Sequence, residues 1–229
     1  MPFVAALERE PAKLDELPLG QEITDKLISL AASFCDEEGG CHGPDHSARV
    51  HRTALFIGRQ LGAELNILSA AALLHDIGRR HETETRGGIC HAAKGSELAR
   101  KILADLAFSQ ADIDRIAHCI DTHRYRDNNR PQTLEAEILF DADKLDSIGA
   151  IGIGRAFLFA GQVGARLHNE NSDIRNTDSY SVEDTAYREF KVKLCKVKDR
   201  MLTSVGRKLA EERHAFMEVF FERLEREIG

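Results

Sequence analysis

Apolar residues recur along most of the chain at the three- and four-residue spacing of amphipathic α-helices. Examples of such stripes are Val50/Ala54/Ile57/Leu61, Leu98/Ile102/Leu106 and Ile113/Ile116/Ile120. The alternating β-branched runs that predict strands are not found in the sequence. Helices are predicted over 21–37, 44–61, 66–77, 89–107, 110–125, 133–146, 147–166, 182–199 and 202–227. The pattern predicts an all-α fold.

Residues that begin and end helices agree with this assignment. Pro44 lies where a first helical turn tolerates proline, and Ser181 followed by Asp184 resembles a capping box. The glycines between 149 and 164 follow no predicted strand and precede no Lys-Ser or Lys-Thr pair, so they predict close helix packing rather than a phosphate-binding loop. Residues 168–180 have the weakest pattern, which favours a surface connection over a mobile lid.

A chain of 229 residues is long enough for one well-filled core. We therefore expect an N-terminal extension over 1–20 and a single compact helical domain over 21–229. The domain would end in a long amphipathic helix, whose apolar stripe includes Leu209, Phe216 and Phe220. Such a helix is compatible with pairing to a second copy, so a homo-oligomer is one possible state.

Composition narrows the functional class. Hydrophobic residues make up 42% and charged residues 30% of the chain, and no apolar run approaches the ~20 residues that cross a bilayer. Residues 1–20 contain four acidic side chains, two basic ones and three prolines, which does not predict a signal peptide. The five cysteines lack metal-knuckle spacing. We expect reduced thiols in a cytoplasmic protein without a membrane partner.

The formal net charge of −7 opposes a stable nucleic-acid partner but permits a small phosphorylated substrate. The most informative chemistry is the dipeptide His75-Asp76, which ends the apolar run 67–74. A buried imidazole and carboxylate need a partner, and a divalent cation takes both. His46 and Asp143 are candidates to complete the site. Taken singly, a histidine in a helix is more often a structural group and an aspartate is more often solvated, so the residues alone leave a metal site and a structural role equally open.

The sequence motifs around these residues help to decide between a structural role and a metal site. The segments 43–50 (GPDHSARV), 73–78 (LLHDIG), 141–152 (DADKLDSIGAIG) and 201–217 resemble a branch of small bacterial proteins in the HD superfamily of metal-dependent phosphohydrolases. The resemblance covers about residues 25–226 and implies an HD-type fold. It also implies that the metal ligands are His46, His75, Asp76 and Asp143.

Other members of the superfamily hold two metals through extra histidines between the dipeptide and the last aspartate. Here the spacing favours one ion, so His123 is expected to contact the substrate, with His91 and His118 as further candidates. Arg49 and Lys144 are expected to bind phosphate. Asp76 and Asp146 are the candidate catalytic carboxylates that orient or deprotonate the attacking water.

The branch includes enzymes that split nucleoside triphosphates into monophosphate and pyrophosphate, and this is the leading hypothesis. Mn²⁺ is the favoured cofactor, with Fe²⁺, Co²⁺, Mg²⁺ or Ni²⁺ as alternatives. Nucleotidase or phosphodiesterase chemistry is the nearest rival. An alarmone substrate is disfavoured because Ile77-Gly78-Arg79-Arg80, rather than an acidic pair, follows the dipeptide. A non-catalytic nucleotide-binding module stabilised by the same metal is the alternative from another class.

Overall fold

The computed structural model describes residues 17–34, 43–125, 129–170 and 173–229. Its α-helices are α1 Gly20–Ser33, α2 Pro44–Leu61, α3 Leu65–Leu74, α4 Arg79–Glu84, α5 His91–Asp105, α6 Gln110–Thr122, α7 Leu134–Leu145, α8 Gly149–Gln162, α9 Ala186–Val192 and α10 Ser204–Ile228. Short 3₁₀ turns lie at Ile174–Asn176, Leu194–Lys196 and Lys198–Arg200. No strand occurs among these described residues, which confirms the predicted all-α fold.

The centre of the fold is α3, a helix that is apolar on every side. Residues 67–74 are all buried, as expected for a helix surrounded by other helices. It packs against α1, α2, α6 and α7. The helix ends at Leu74 with His75 as its C-terminal cap residue. The side chain of His75, which follows the helix, therefore lies in the interior of the protein.

The remaining helices surround α3 and share one continuous apolar core. The most extensive pairing joins α5 to α6, and α2 packs on both α3 and α7. The long helix α10 packs on α7 and α8, and α9 covers another part of α8. This packing gives the compact HD-type helical domain that the sequence predicts, with the ends of α3, α6 and α7 close together.

A buried carboxylate fastens the start of α10 to α7. Asp141 accepts hydrogen bonds from the backbone N–H groups of Leu202 and Thr203, at 2.8 Å each, and from the Thr203 hydroxyl at 2.7 Å. The Thr203 hydroxyl in turn caps α10 by accepting from the N–H of Gly206. A Cβ at Gly206 would lie 2.2 Å from Asp141 Oδ2, so this position requires glycine.

A similar steric reason requires glycine at position 78, two residues after Asp76. A Cβ there would lie 2.2 Å from the carbonyl oxygen of His91 and 2.6 Å from the N–H nitrogen of Gly95. Glycine therefore lets the chain that leaves α3 touch the backbone of α5. This contact holds the N-terminus of α5 beside the dipeptide.

Most predicted helices are confirmed to within a few residues at their ends, with two corrections. The segment 79–84, expected to be a break, forms the short helix α4. The predicted helix 182–199 is wrong, because only Ala186–Val192 is α-helical and two 3₁₀ turns follow. Thr185, rather than Ser181, caps this helix by accepting from the N–H of Arg188.

Some predictions fall on parts of the chain outside the described residues. These are most of the 1–20 extension, residues 35–37 of the first predicted helix, and two of the five cysteines, Cys35 and Cys41. Cys90, Cys119 and Cys195 are free thiols, as expected. Within the part of the chain that the structure describes, no helix combines the length and apolar character needed to span a bilayer.

Candidate metal centre

Two histidines occupy equivalent positions at the ends of different helices. His75 follows α3 and its Nδ1–H donates to the carbonyl of Ala72 at 2.8 Å, while His123 follows α6 and donates to the carbonyl of Ile120 at 2.6 Å. A carbonyl oxygen only accepts hydrogen bonds, so Nδ1 carries the proton in both rings. The Nε2 lone pair of each buried ring is therefore directed away from its own helix.

His46, near the start of α2, is oriented by a carboxylate instead. Its Nδ1–H donates to Asp146 Oδ2 at 2.7 Å. Burial alone would raise the pKa of Asp146, but its bonds with His46 and Arg49 lower that pKa to about 2, so the group is an ionised acceptor. The Nε2 atom of His46 lies 3.2 Å from His75 Nε2 and 3.5 Å from Asp143 Oδ1.

His91, the first residue of α5, has the same type of support. Its Nδ1 is 2.6 Å from Glu82 Oε2, and Glu82 is also bound by Arg124. The Nε2 atom of His91 lies 3.1 Å from His123 Nε2. All four rings thus engage an acceptor through Nδ1 and converge through Nε2, which is the arrangement that orients histidine ligands at metal sites.

Asp76 lies between the two pairs of rings. Its Oδ2 is 3.5 Å from His46 Nε2 and 3.6 Å from His75 Nε2, whereas its Oδ1 is 3.6 Å from the Nε2 atoms of His91 and His123. Two groups of donor atoms result, His46/His75/Asp143 and Asp76/His91/His123, each with its atoms within 4.8 Å of one another. One oxygen of Asp76 faces each pair of rings.

This second group bears on the number of ions. The sequence favoured one ion because the spacing of the additional histidines does not match a two-metal pattern, but a second ion needs two inward-facing histidines, and His91 and His123 meet inside the protein. His118, the third candidate, is not brought to the cluster. Its Nε2 accepts from the N–H of Gln132 at 3.1 Å, on a different side of α6.

The chemistry of the donor set fits divalent metal ions. Two pairs of Nε2 lone pairs face each other at 3.2 and 3.1 Å, and such acceptors repel unless a cation or proton lies between them. Burial alone would lower the pKa of His46, but the surrounding carboxylates raise it to about 10. Burial would raise the pKa of Asp143, yet Lys144 and His46 hold it well below its usual range. The carboxylates therefore favour positive charge at His46, whereas burial lowers the pKa of His75 to about 4 and keeps that ring neutral, as a metal ligand must be.

Two cationic side chains border the cluster. Lys144 Nζ lies 2.6 Å from Asp143 Oδ2, and Arg79 Nε lies 2.6 Å from Asp76 Oδ2. Both keep about a quarter of their side-chain surface exposed, 23% and 29% respectively. Lys144 was predicted from the sequence, whereas Arg79 was missed. Its spacing of three residues from Asp76 was the signal that could have identified it.

The contacts of Asp146 and Arg49 bear on their predicted roles. Asp146 Oδ1 accepts from Arg49 Nε at 2.7 Å, and Asp146 Oδ2 accepts from both Arg49 Nη2 and Arg155 Nη1 in addition to His46. With these partners Asp146 faces the Nδ1 side of His46, opposite the converging Nε2 atoms, which favours support of that ring over activation of a water. Arg49 donates to Asp146 and to Asp45, and its role in binding phosphate stays a prediction.

An all-α fold with an interior His/Asp cluster, carrying the His-Asp dipeptide at the end of its central helix, defines the HD class of hydrolase domain. Residues 45–148 match the HD domain family. The chain is 35% identical over 208 residues to the Bacillus subtilis protein YpgQ, covering 89% of this chain and 93% of that relative. The chain belongs to the HD superfamily of metal-dependent phosphohydrolases.

Solved structures agree over nearly the whole length. The crystal structure of Bacillus subtilis YpgQ in complex with ADP has a TM-score of 0.70 and 32% identity, covering 90% of this chain and 97% of that one. A crystal structure of an HD-superfamily hydrolase from Bacillus thuringiensis has a TM-score of 0.72 and 28% identity over the same shares. Ribonuclease Y of Chloroflexus aurantiacus is 37% identical over 100 residues, which is 44% of this chain but 17% of that enzyme.

Proposed function

We propose that this protein hydrolyses nucleoside triphosphates to nucleoside monophosphate and pyrophosphate. The observation that carries the proposal is the complex of Bacillus subtilis YpgQ with ADP, because the two chains share a fold over nine-tenths of this one. A nucleotide ligand in that relative supports a nucleotide as the substrate here. The substrate would be a small molecule, and no stable nucleic-acid partner is expected from the net charge of −7.

The ligands proposed for the ions follow from the two donor groups. His46, His75 and Asp143 would hold one ion, and Asp76, His91 and His123 would hold a second. Imidazole with carboxylate suits Mn²⁺, which remains the favoured metal over Fe²⁺, Co²⁺, Mg²⁺ and Ni²⁺. A divalent ion bound in such a site acidifies a water molecule and polarises a phosphoryl oxygen.

The protein's own groups complete the reaction. Lys144 and Arg79 are placed to bind phosphate oxygens and to stabilise the negative charge that develops on them. The oxygen of water attacks the α-phosphorus, and the bond from that phosphorus to the bridging oxygen of the β-phosphate breaks. Asp76 accepts the proton of the water at a carboxylate oxygen, since Asp146 is engaged elsewhere.

Phosphodiester cleavage is the second candidate. It is favoured by one observation, the 37% identity to the corresponding part of ribonuclease Y. The two activities differ in their products, because a triphosphate hydrolase releases pyrophosphate and a diesterase converts a diester to a monoester. A non-catalytic metal-stabilised binding module would release neither product.

The test is a product analysis by phosphorus NMR. Protein loaded with Mn²⁺ would be incubated separately with each nucleoside triphosphate, with monophosphates, and with a short oligoribonucleotide. We expect monophosphate and pyrophosphate from triphosphates, with His75→Ala inactive and His118→Ala active, both with the helical circular dichroism of the unaltered protein. Diester cleavage alone would favour the second candidate. Ligand-induced thermal shifts without any product would favour the binding module.

A further inference from the structure

A cavity of about 450 Å³ lies between α8, α9 and the segment that precedes α9. Its volume is within the roughly 300–1,000 Å³ of typical small-molecule sites. The floor is apolar and is formed in part by Ala156 of α8 and Val192 of α9. Ser147 and Arg155 line the side nearest the metal centre. None of these residues belongs to the donor cluster, so the cavity is a separate feature.

Two aromatic rings stand at this cavity. Phe159 of α8 and Tyr180 lie edge to face with their ring centroids 5.8 Å apart. Tyr180 is 76% exposed, so most of its ring surface is available to a ligand. An exposed tyrosine beside a phenylalanine is the kind of platform on which a planar base stacks.

The backbone holds Tyr180 in a conformation that a tyrosine seldom adopts. Its φ angle is +59°, in the left-handed region that glycine and asparagine tolerate better than bulky residues. Its N–H donates to Asp184 Oδ2 at 2.7 Å, and Asp184 is paired with the buried Arg188. Arg188 also donates to Thr177, so the whole turn is fastened to α9. This anchoring fixes the backbone of Tyr180 beside the cavity at a conformational cost.

The cavity and the metal centre share one stretch of chain. Asp143, a proposed ligand, lies in the last turn of α7, and Ser147, which lines the cavity, lies in the turn that follows this helix. Arg155 joins them more directly, because it lines the cavity and donates to Asp146, the residue that orients His46. Arg155 therefore lies between the cavity and the buried carboxylate that supports His46.

From these observations we infer that the cavity binds the nucleoside part of the substrate, with the base stacked on the exposed ring of Tyr180 and bordered by Phe159. The inference rests on the proposed function, since it assigns the triphosphate to the donor cluster. Ser147 and Arg155, which line the cavity, would contact the ribose or the first phosphate.

The first experiment measures nucleoside binding without any phosphate chemistry. Saturation-transfer NMR with adenosine, guanosine, cytidine and uridine should show contact with the metal-loaded protein. The signal should be lost in Tyr180→Asn, which removes the ring but tolerates the positive φ angle. It should remain in the matched control Val182→Asn, whose side chain is exposed in the same segment but does not line the cavity. No signal with the unaltered protein, or equal signals in both variants, would overturn the inference.

The second experiment asks whether the bound nucleoside belongs to the substrate. Tyr180→Asn should raise the KM for a nucleoside triphosphate at least tenfold, whereas the control Val182→Asn should leave the KM unchanged. The free nucleoside should inhibit triphosphate turnover competitively. Non-competitive inhibition would overturn the assignment to the substrate. If no triphosphate is hydrolysed while nucleoside binding still depends on Tyr180, the proposed function fails and the nucleoside site stands.

Discussion

The Nε2 atoms of His46 and His75 lie 3.2 Å apart in the protein interior, although 29 residues separate them in the chain. Each ring uses its Nδ1–H on another acceptor, Asp146 for one and the Ala72 carbonyl for the other. Two lone pairs therefore face each other at hydrogen-bonding distance. The relationship is favourable only when a proton or a metal cation lies between them, and the carboxylates around His46 favour that positive charge.

Asp146→Asn should weaken metal binding because the asparagine no longer holds the His46 ring with an ionised acceptor. Loss of such a supporting carboxylate typically lowers metal affinity about 10- to 100-fold. Competition with a metallochromic chelator measures this change. The matched control is Asp45→Asn, which also removes a charged partner of Arg49 but lies on the surface and does not hydrogen-bond to the ring of His46. Equal effects of the two substitutions would show that Asp146 does not support the site.

His123→Ala should lower the number of bound Mn²⁺ ions from two to one. The second donor group loses one of its two imidazoles, while His46, His75 and Asp143 are unchanged. Elemental analysis of dialysed protein gives the stoichiometry, with His118→Ala as the control that should keep two ions. A value of one ion in the unaltered protein, with no change in His123→Ala, would support the single-ion centre expected from the sequence.

The free energy of unfolding should fall as the pH is lowered from about 6.5 towards 4, in part because of His51. Burial and the charges of Arg59 and Arg52 lower the pKa of this ring to about 4, and its Nε2 lies 2.8 Å from the Ser69 hydroxyl. In the unfolded chain His51 binds a proton below its usual pKa of 6.5, whereas in the folded protein the ring stays neutral until the pH approaches about 4. Stability is therefore present above pH 6.5 and lost on acidification.

The contribution of His51 to the pH dependence of stability is measured by comparing the unaltered protein with His51→Gln. Denaturant titrations at pH 7 and pH 5 should show a loss about 1–2 kcal/mol larger in the unaltered protein than in the variant. All other groups titrate alike in the two proteins, so their effects cancel. The same loss in both would mean that His51 is accessible to protons in the folded state.

Asp141→Ala should destabilise the fold without altering the metal ligands. The substitution leaves the N–H groups of Leu202 and Thr203 without their carboxylate acceptor, at a cost of about 3 kcal/mol. Glu137→Ala, one turn earlier in α7, should cost less than about 1 kcal/mol. Urea denaturation gives both values. A small effect at Asp141 would show that α10 is held mainly by its apolar contacts.

Much of the fold could be predicted from the sequence because helical periodicity is a local property. The stripes on α2 and α6 and the continuous apolar run of α3 were enough to locate those helices. The side of a helix that faces the core was harder to predict. In α10, Phe216 was expected to be buried but is 52% exposed, whereas Phe221 is buried. Both phenylalanines lie close to the apolar stripe, and only the packing of α10 on α7 and α8 decides between them.

The candidate site likewise combines features that the sequence predicts with features that depend on tertiary packing. The His75-Asp76 dipeptide could be identified because its apolar neighbours indicate burial. The pairing of His91 with His123 could not, since it joins the start of α5 to the end of α6 and depends on how those helices pack. The contacts of Asp146 and Glu82 with histidine Nδ1 atoms are likewise tertiary. No spacing within the sequence predicts which carboxylate will lie behind which ring.

The central claim is that the interior histidines and aspartates hold divalent metal next to an approaching phosphate. Anomalous X-ray scattering from crystals grown with Mn²⁺ and a non-hydrolysable nucleoside triphosphate measures this directly. We predict peaks within about 2–2.3 Å of the Nε2 atoms of His46 and His75 and of an Asp143 oxygen, with phosphate oxygen completing the coordination. Manganese bound only at surface carboxylates, with the rings of His46 and His75 still in direct contact, would contradict the account.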